Sequence, residues 1–426
     1  MMNIVGILQD QQQELKAIDV GQFCSRQEEK LFDFASSLAQ VVIGVRRSGK
    51  STLCIKMLKE KGIKFGYVNF DDEQLANLRP EQLNDVLDAV YKVYGNVTHI
   101  FFDEIQNIPQ WPLFINRLLR QGVHLVLTGS NANLLSGELA THLTGRYNQI
   151  ELYPFSFAEY CSACNVDTQT ISTKANALRY RALETYMQQG GFPELLHLTN
   201  PHTYTLSLLN ALINKDICKR YSVKYQRTLT DMANGVLDKF CQEVSYQQLQ
   251  EQYELGSVHT AKQYLHYLQE AYLVRLLPLY TFRNRERQLA RKCYAVDPAF
   301  ITNHDDILQT PNLGWRLENV VAIELMRRMN SEIESLFYYR KPKSFEVDFV
   351  RVKMSKIEEL VQVTYDFREP TTKQYNREIG GLVKGARAMG CNNLTLIMMD
   401  GQPQTIEVEG YSIQCIRATD WLLRDK

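Results

Sequence analysis

The chain has 426 residues, 45% hydrophobic and 23% charged, with Lys plus Arg equal to Asp plus Glu at 48 each. That length is enough for two to four domains, and zero net charge excludes a protein drawn to polyanions by its overall field, leaving only local basic patches. No apolar run reaches the roughly 18 residues that cross a bilayer, the opening MMNIVGILQDQQQ lacks a secretion signal's pattern, and nine scattered cysteines do not form a disulfide framework; a cytoplasmic protein with no membrane partner is expected.

Residues 1–40 read as a helical lead-in, with apolar residues at helical spacing in EEKLFDFASSLA. From 41 to about 155, the strand candidates VVIGV, KFGYVNF, THIFFDE, HLVLTGS and YNQIELY alternate with the helix candidates KSTLCIKMLKEK, PEQLNDVLDAVYKVY and PLFINRLLRQG. Such alternation predicts βαβ units around a buried parallel sheet. Residues 156–235 read as a helical extension, broken at QGGFPELL, where glycine ends a helix and proline blocks its continuation. Residues 236–300 read as helix, turn, helix and a basic strand. The tail, 301–426, is again α/β, with helices at 315–329 and 372–389 and strands SFEVDFVRV, ELVQVTY and NLTLIMM.

The first strand runs into VVIGVRRSGKST, which fits G-x-x-x-x-G-K-[ST] with Gly44, Gly49, Lys50 and Ser51. Placed between a strand and a helix, this spacing turns backbone N–H groups inward around phosphate oxygens, and the following helix points its positive end at them. Arg47 and Ser48 complete the loop, Lys50 reaches the β/γ-phosphates, Ser51 ligates Mg²⁺ and Thr52 faces the α-phosphate. Arg46 and Arg47 either serve a phosphate or pack outward; spacing does not decide. A loop of this kind needs an apolar strand ending in an acid, and HIFFDE supplies Asp103 as the magnesium-side carboxylate and Glu104 to polarise the attacking water. HLVLTGSN ends a further strand in polar residues, so Ser130 or Asn131 either touches the γ-phosphate and water or caps the next helix. Arg146 is a candidate transition-state cation, from its own chain or a neighbour's, or a surface arginine.

GVRRSGKSTL, FFDEIQNIPQW, LTGSNANLLS, LTGRYNQIELYPFSFAEY and QGGFPELL together resemble a large prokaryotic family of AAA-type ATPases. INKDICKRY, LHYLQEAYLVRLLPLY, CYAVDPAF, RLENVVAIEL and FEVDFV extend the resemblance over nearly the whole chain. It implies an AAA-type P-loop ATPase domain (1–155) with a helical lid (156–235), a winged helix (236–300) and a restriction-endonuclease-like α/β tail (301–426). It also implies ATP and Mg²⁺ as ligands.

A nucleic-acid partner is one reading of the middle. SYQQLQEQYELGSVHTAKQYLHYLQ places Gly256 at a turn before a second helix that carries His259, Lys262 and Gln263, and Arg283, Arg285, Arg287, Arg291 and Lys292 follow against one acid, Glu286. The other reading is a dimerisation or inter-domain module, with a homo-oligomer as partner. In the tail, Glu318, Asp348 and Gln362 (with Glu346 beside Asp348) stand where the nuclease-like fold holds a metal, but Thr364 replaces the lysine of Glu/Gln-x-Lys. Cleavage then needs a lysine from elsewhere, such as Lys373; without one the tail is a binding or scaffold domain. Cys161 and Cys164 lack the second pair that a zinc site needs. Three functions remain: a Mg²⁺-dependent ATPase that moves the winged helix and tail, a nucleotide-gated DNA-binding switch with little turnover, and a metal-dependent nuclease.

Overall fold

The computed structural model describes residues 3–130, 143, 145–281, 283, 290–302 and 312–424. These fall into two compact units that part between Pro154 and Phe155, with Glu270–Tyr272 grouped with the first.

The first unit opens on α1 (Ile4–Ala17), capped by the Asn3 side chain, which accepts from Gly6 N at 3.1 Å. Ile4, Ile7, Leu8 and Leu15 form its buried stripe. The helical spacing of EEKLFDFASSLA is overruled. Gln27–Leu31 makes a 3₁₀ turn, Phe32 is extended, and the Asp33 carboxylate accepts from Ala35 N and Ser36 N at 3.2 Å each. A short acceptor that captures the backbone ahead of it competes with the helical ladder, and it wins here.

Strands β1 (Ala39–Ile43), β2 (Phe65–Asn69), β3 (His99–Asp103), β4 (His124–Gly129) and β5 (Tyr147–Glu151) form a parallel sheet ordered β2-β3-β4-β1-β5. Helices α2 (Lys50–Glu60), α3 (Leu83–Tyr94) and α4 (Trp111–Arg120) connect them. Val41, Val42, Ile100, Phe101, Phe102, Leu125, Val126 and Leu127 are at most 1% exposed. Each such burial contributes about 1.5–3 kcal/mol, and strands covered on both faces read as unbroken apolar runs rather than alternating ones. The order puts β4 between β1 and β3, so the carboxyl ends of all three lie side by side.

The second unit begins with helices Phe157–Ala163, Thr173–Gln189 and Pro201–Ala211, the last running into a π-helical segment, Leu212–Lys219. Gly190 caps the long helix, donating to Tyr186 O at 2.8 Å, and Pro193 opens the next turn. Helices Gln226–Asp238, Tyr246–Gln252 and Val258–Glu270 accompany an antiparallel sheet, β6 (Glu243–Val244), β8 (Arg291–Ala295) and β7 (Val274–Pro278), in that order. The tail is a six-stranded mixed sheet ordered β13-β14-β12-β11-β10-β9. Its strands are β9 (Glu334–Lys341), β10 (Phe345–Lys353), β11 (Lys356–Asp366), β12 (Leu394–Asp400), β13 (Gln404–Val408) and β14 (Tyr411–Arg417). Helix Thr372–Met389 packs Ile379, Leu382, Val383 and Ala386 onto it, and the helix Leu313–Arg328 is buried from Arg316 to Leu325. Among the described residues no helix is long and apolar enough to cross a membrane.

Candidate functional site

The glycine loop leaves β1 at Ile43 and enters α2 at Lys50. Gly44 has φ +151, and a Cβ there would fall 2.0 Å from the Leu152 carbonyl oxygen, because the chain beyond β5 is bonded to β1 through Leu152 N to Ile43 O at 2.7 Å. Only glycine fits. Gly49, at φ 93, delivers the chain into the helix in a left-handed conformation. Behind the loop the Arg26 guanidinium donates to Ser48 O at 3.1 Å and Tyr153 O at 2.6 Å while 8% exposed. Sequence reasoning missed Arg26, since nothing in a lone arginine of the lead-in marks it as a brace for a loop 22 residues on.

Lys50 is 4% exposed; its ammonium donates to Gly44 O at 3.2 Å and Val45 O at 3.0 Å and lies 3.9 Å from Glu104 Oε1. The Ser51 hydroxyl donates to Asp103 Oδ1 at 2.8 Å. Asp103 also accepts from the Thr128 hydroxyl, and from Tyr67 OH at 3.2 Å. Thr128 in turn accepts from Glu104 N at 2.9 Å, and Gln106 Nε2 donates to Glu104 Oε2. Burial first, and Glu104 second, push the Asp103 carboxyl up from 3.8 to about 6, against the Thr128 and Ser51 hydroxyls and the Lys50 ammonium. Thr128 and Tyr67 went unseen because each becomes a partner only once β4 and β2 flank β3. Ser51 and Asp103 together suit a hard cation that takes one or two protein oxygens and fills its shell with phosphate and water.

The remaining predicted residues divide. Ser48 and Ser130 are fully buried, and the hydroxyl of each lacks a hydrogen-bond partner among the described residues. Thr52 lies half-buried in the first turn of α2, Arg47 is exposed at φ 70, and Arg46 pairs with Asp71 at 3.3 Å. Asn131, Arg285 and Arg287 lie outside the described residues. Arg146 is not brought to the loop of its own chain. Its carbonyl accepts from Ala39 N at 3.0 Å, at the start of β1, and its guanidinium donates to Asn116 Oδ1 at 2.6 Å. The loop leaves the far end of β1, about 16 Å away at 3.3 Å per residue.

The tail residues converge elsewhere, on a cavity of about 600 Å³ lined by Lys292, Trp315, Glu318, Glu346, Asp348, Gln362, Arg377 and Glu378 among others. The Lys292 ammonium, from β8, lies 2.5 Å from Glu346 Oε1, 3.1 Å from Glu318 Oε1 and 3.8 Å from Asp348 Oδ1. Burial alone would lower its pKa; Glu318, Asp348 and Glu346 outweigh that and hold it raised. Asp348 is pushed up by burial and then by Glu318, with Lys292 opposing. Lys373 is exposed on the surface and does not line the cavity. Gln362 lines the cavity too: its side-chain oxygen accepts from Asp348 N at 3.3 Å, and its amide donates to Glu378 Oε2 at 2.9 Å. Among the described residues no three His, Cys, Asp or Glu side chains form a ready metal cage. Cys161 is buried and Cys164 is exposed.

A strand, a glycine loop, a helix and, one strand further along the sheet, a strand ending in a buried acid define a P-loop NTPase fold. A family profile described as AAA domain matches residues 36–161, and one described only as a domain of unknown function matches 180–310, across the stretch read as lid and winged helix. An uncharacterized protein of Methanocaldococcus jannaschii, MJ1544, is 31% identical over 368 residues, covering 84% of this chain and 80% of that protein. An uncharacterized protein of Haemophilus influenzae is 31% identical over 402 residues, covering 90% and 94%. The chain belongs to the family of these proteins, built on an AAA-type P-loop domain. Among solved structures, a Walker-type ATPase of Pyrococcus abyssi is similar at 15% identity and a TM-score of 0.43, covering 66% of this chain and 96% of that one.

Proposed function

We propose that the protein is a Mg²⁺-dependent ATPase of the AAA lineage whose nucleotide state is coupled to a winged helix (236–300) and a nuclease-like tail (301–426). The observation that carries this reading is the convergence of Lys50, Ser51, Asp103, Glu104 and Thr128 at the carboxyl ends of three adjacent strands. Lys50 leaves Gly44 O and Val45 O to meet the β/γ-phosphates, and the loop amides with the start of α2 hold the phosphate charge. Ser51 and Asp103 would hold the Mg²⁺, which would supply charge neutralisation on the phosphoryl oxygens. Glu104, fixed by Gln106 and by its backbone bond to Thr128, orients the attacking water; Ser130 follows the end of the strand between. Arg146 acts, on this reading, on the nucleotide of a neighbouring copy. Phosphate release by the purified chain tests the proposal: Lys50→Ala should lose nucleotide binding, and Glu104→Gln should bind ATP yet turn it over at least about 100-fold more slowly. Full turnover in Glu104→Gln removes the water-positioning role. Barely detectable turnover in the wild type, unchanged by DNA, favours a nucleotide-gated switch.

A metal-dependent nuclease tail is a second reading, favoured by one observation: Lys292 brings to Glu318, Glu346 and Asp348 the cation that Thr364 withholds. Plasmid cutting with Mg²⁺ or Mn²⁺, lost in Asp348→Ala, is its requirement.

A further inference from the structure

The second unit carries a further basic and aromatic group, separate in sequence from the segment 283–292. From Ile213 to Thr230 the chain holds Lys215, Lys219, Arg220, Lys224 and Arg227 against a single acid, Asp216, and Asp216 is turned inward at 3% exposure. Lys215, Lys219, Lys224 and Arg227 are exposed, as is Lys262 on the Val258–Glu270 helix, and none of the five forms an ion pair among the described residues. Arg220 Nη1 is buried without a hydrogen-bond partner among those residues. In a chain of zero net charge, this is a local excess of cations, with exposed Asp231 the next acid along the chain.

Aromatic rings lie among these charges. Tyr221 stacks on Tyr267 with centroids 3.9 Å apart and planes 8° from parallel, Tyr264 adjoins Tyr267 at 6.3 Å, and Tyr225 is 60% exposed beneath the Lys224 ammonium, 5.3 Å from its centroid. The backbone reaches this face through the π-helical segment Leu212–Lys219, a geometry that gathers at functional sites. An exposed ring beside a lysine gains nothing from duplex phosphates, and duplex bases are stacked on each other. Unpaired bases offer free π-faces to tyrosine while their backbone takes the lysines.

We propose that the face made by Lys215, Lys219, Arg220, Lys224, Tyr225 and Tyr267 binds single-stranded nucleic acid, the cations tracking phosphates and the tyrosines stacking bases. It requires nothing of the phosphate loop, so absence of ATP turnover would leave it standing. The test is fluorescence anisotropy of the full chain with labelled oligothymidylate and oligouridylate of about 20 nucleotides, and a duplex of equal length, between about 50 and 200 mM salt. The single strands should bind tighter than the duplex, and the two single strands show whether DNA or RNA is preferred. Lys219→Glu with Lys224→Glu should weaken single-strand binding at least about tenfold and reduce the salt slope by about 1.4. Tyr225→Ala should weaken it about fivefold or more, and Tyr225→Phe, which keeps the ring, should restore it. These side chains are exposed, so the variants should melt like the wild type. No single-strand binding at the lowest salt, unchanged affinity in both the charge and Tyr225→Ala variants, or tighter duplex binding untouched by Tyr225→Ala would overturn the proposal.

Discussion

Replacing Asp103 by asparagine should weaken activity and strengthen the empty fold at once. The carboxylate is 4% exposed, and its pKa is raised from 3.8 to about 6, chiefly by burial and next by Glu104. A carboxyl whose folded pKa lies above its unfolded value costs stability once ionised, and that cost fades as pH falls through the folded pKa toward the unfolded one. Each pKa unit is worth about 1.4 kcal/mol, so the ionised Asp103 costs the nucleotide-free protein roughly 3 kcal/mol at pH 8. Asparagine keeps an oxygen to accept from Ser51 and Thr128 but carries no charge. Melted in EDTA without nucleotide, Asp103→Asn should exceed the wild type in Tm at pH 8 by about 6–12 °C, at the roughly 2–4 °C per kcal/mol expected for a domain of this size. The gap should close toward pH 5, while added Mg²⁺ and ATP should raise the Tm of the wild type alone. A lower Tm for the variant at pH 8, or a gap indifferent to pH, would refute the argument that a buried charge is held here against its own solvation.

Three further outcomes are expected. Gly44→Ala drives a methyl group into Leu152 O, so it should cost about 1–3 kcal/mol and lose nucleotide affinity; an unchanged melting curve would contradict the close approach. Lys292→Met leaves Glu318 and Asp348 buried without their cation and should destabilise by about 3–5 kcal/mol at pH 8. Because Asp348 is already pushed toward its protonated form, that loss should shrink as pH falls, and a pH-independent loss would place the effect in packing alone. If Arg146 serves a neighbouring copy, specific ATPase activity should rise with protein concentration and Arg146→Ala should lower turnover with little change in ATP affinity; activity independent of concentration argues against it.

Local chemistry was sufficient where neighbours in sequence are also neighbours in function. Gly44, Gly49, Lys50 and Ser51 are contiguous with one strand and one helix, so their spacing alone predicts the loop, and five unbroken apolar runs predict a parallel sheet buried on both faces. What the chain order does not carry is which strands become adjacent. With β4 set between β1 and β3, Thr128 becomes the hydroxyl between Asp103 and Glu104, and Tyr67 reaches Asp103 from β2. Arg146 is fixed at the strand-start end of the sheet for the same reason. In the tail, Lys292, 72 residues before Thr364, comes to the buried carboxylates because β8 places alternate side chains, Lys292 and Tyr294, against Glu318. Spacing along the chain determines turns and the period of burial. Charge pairing in a dry interior is settled by whichever groups the folded backbone brings within a few ångströms, and only the tertiary structure decides those.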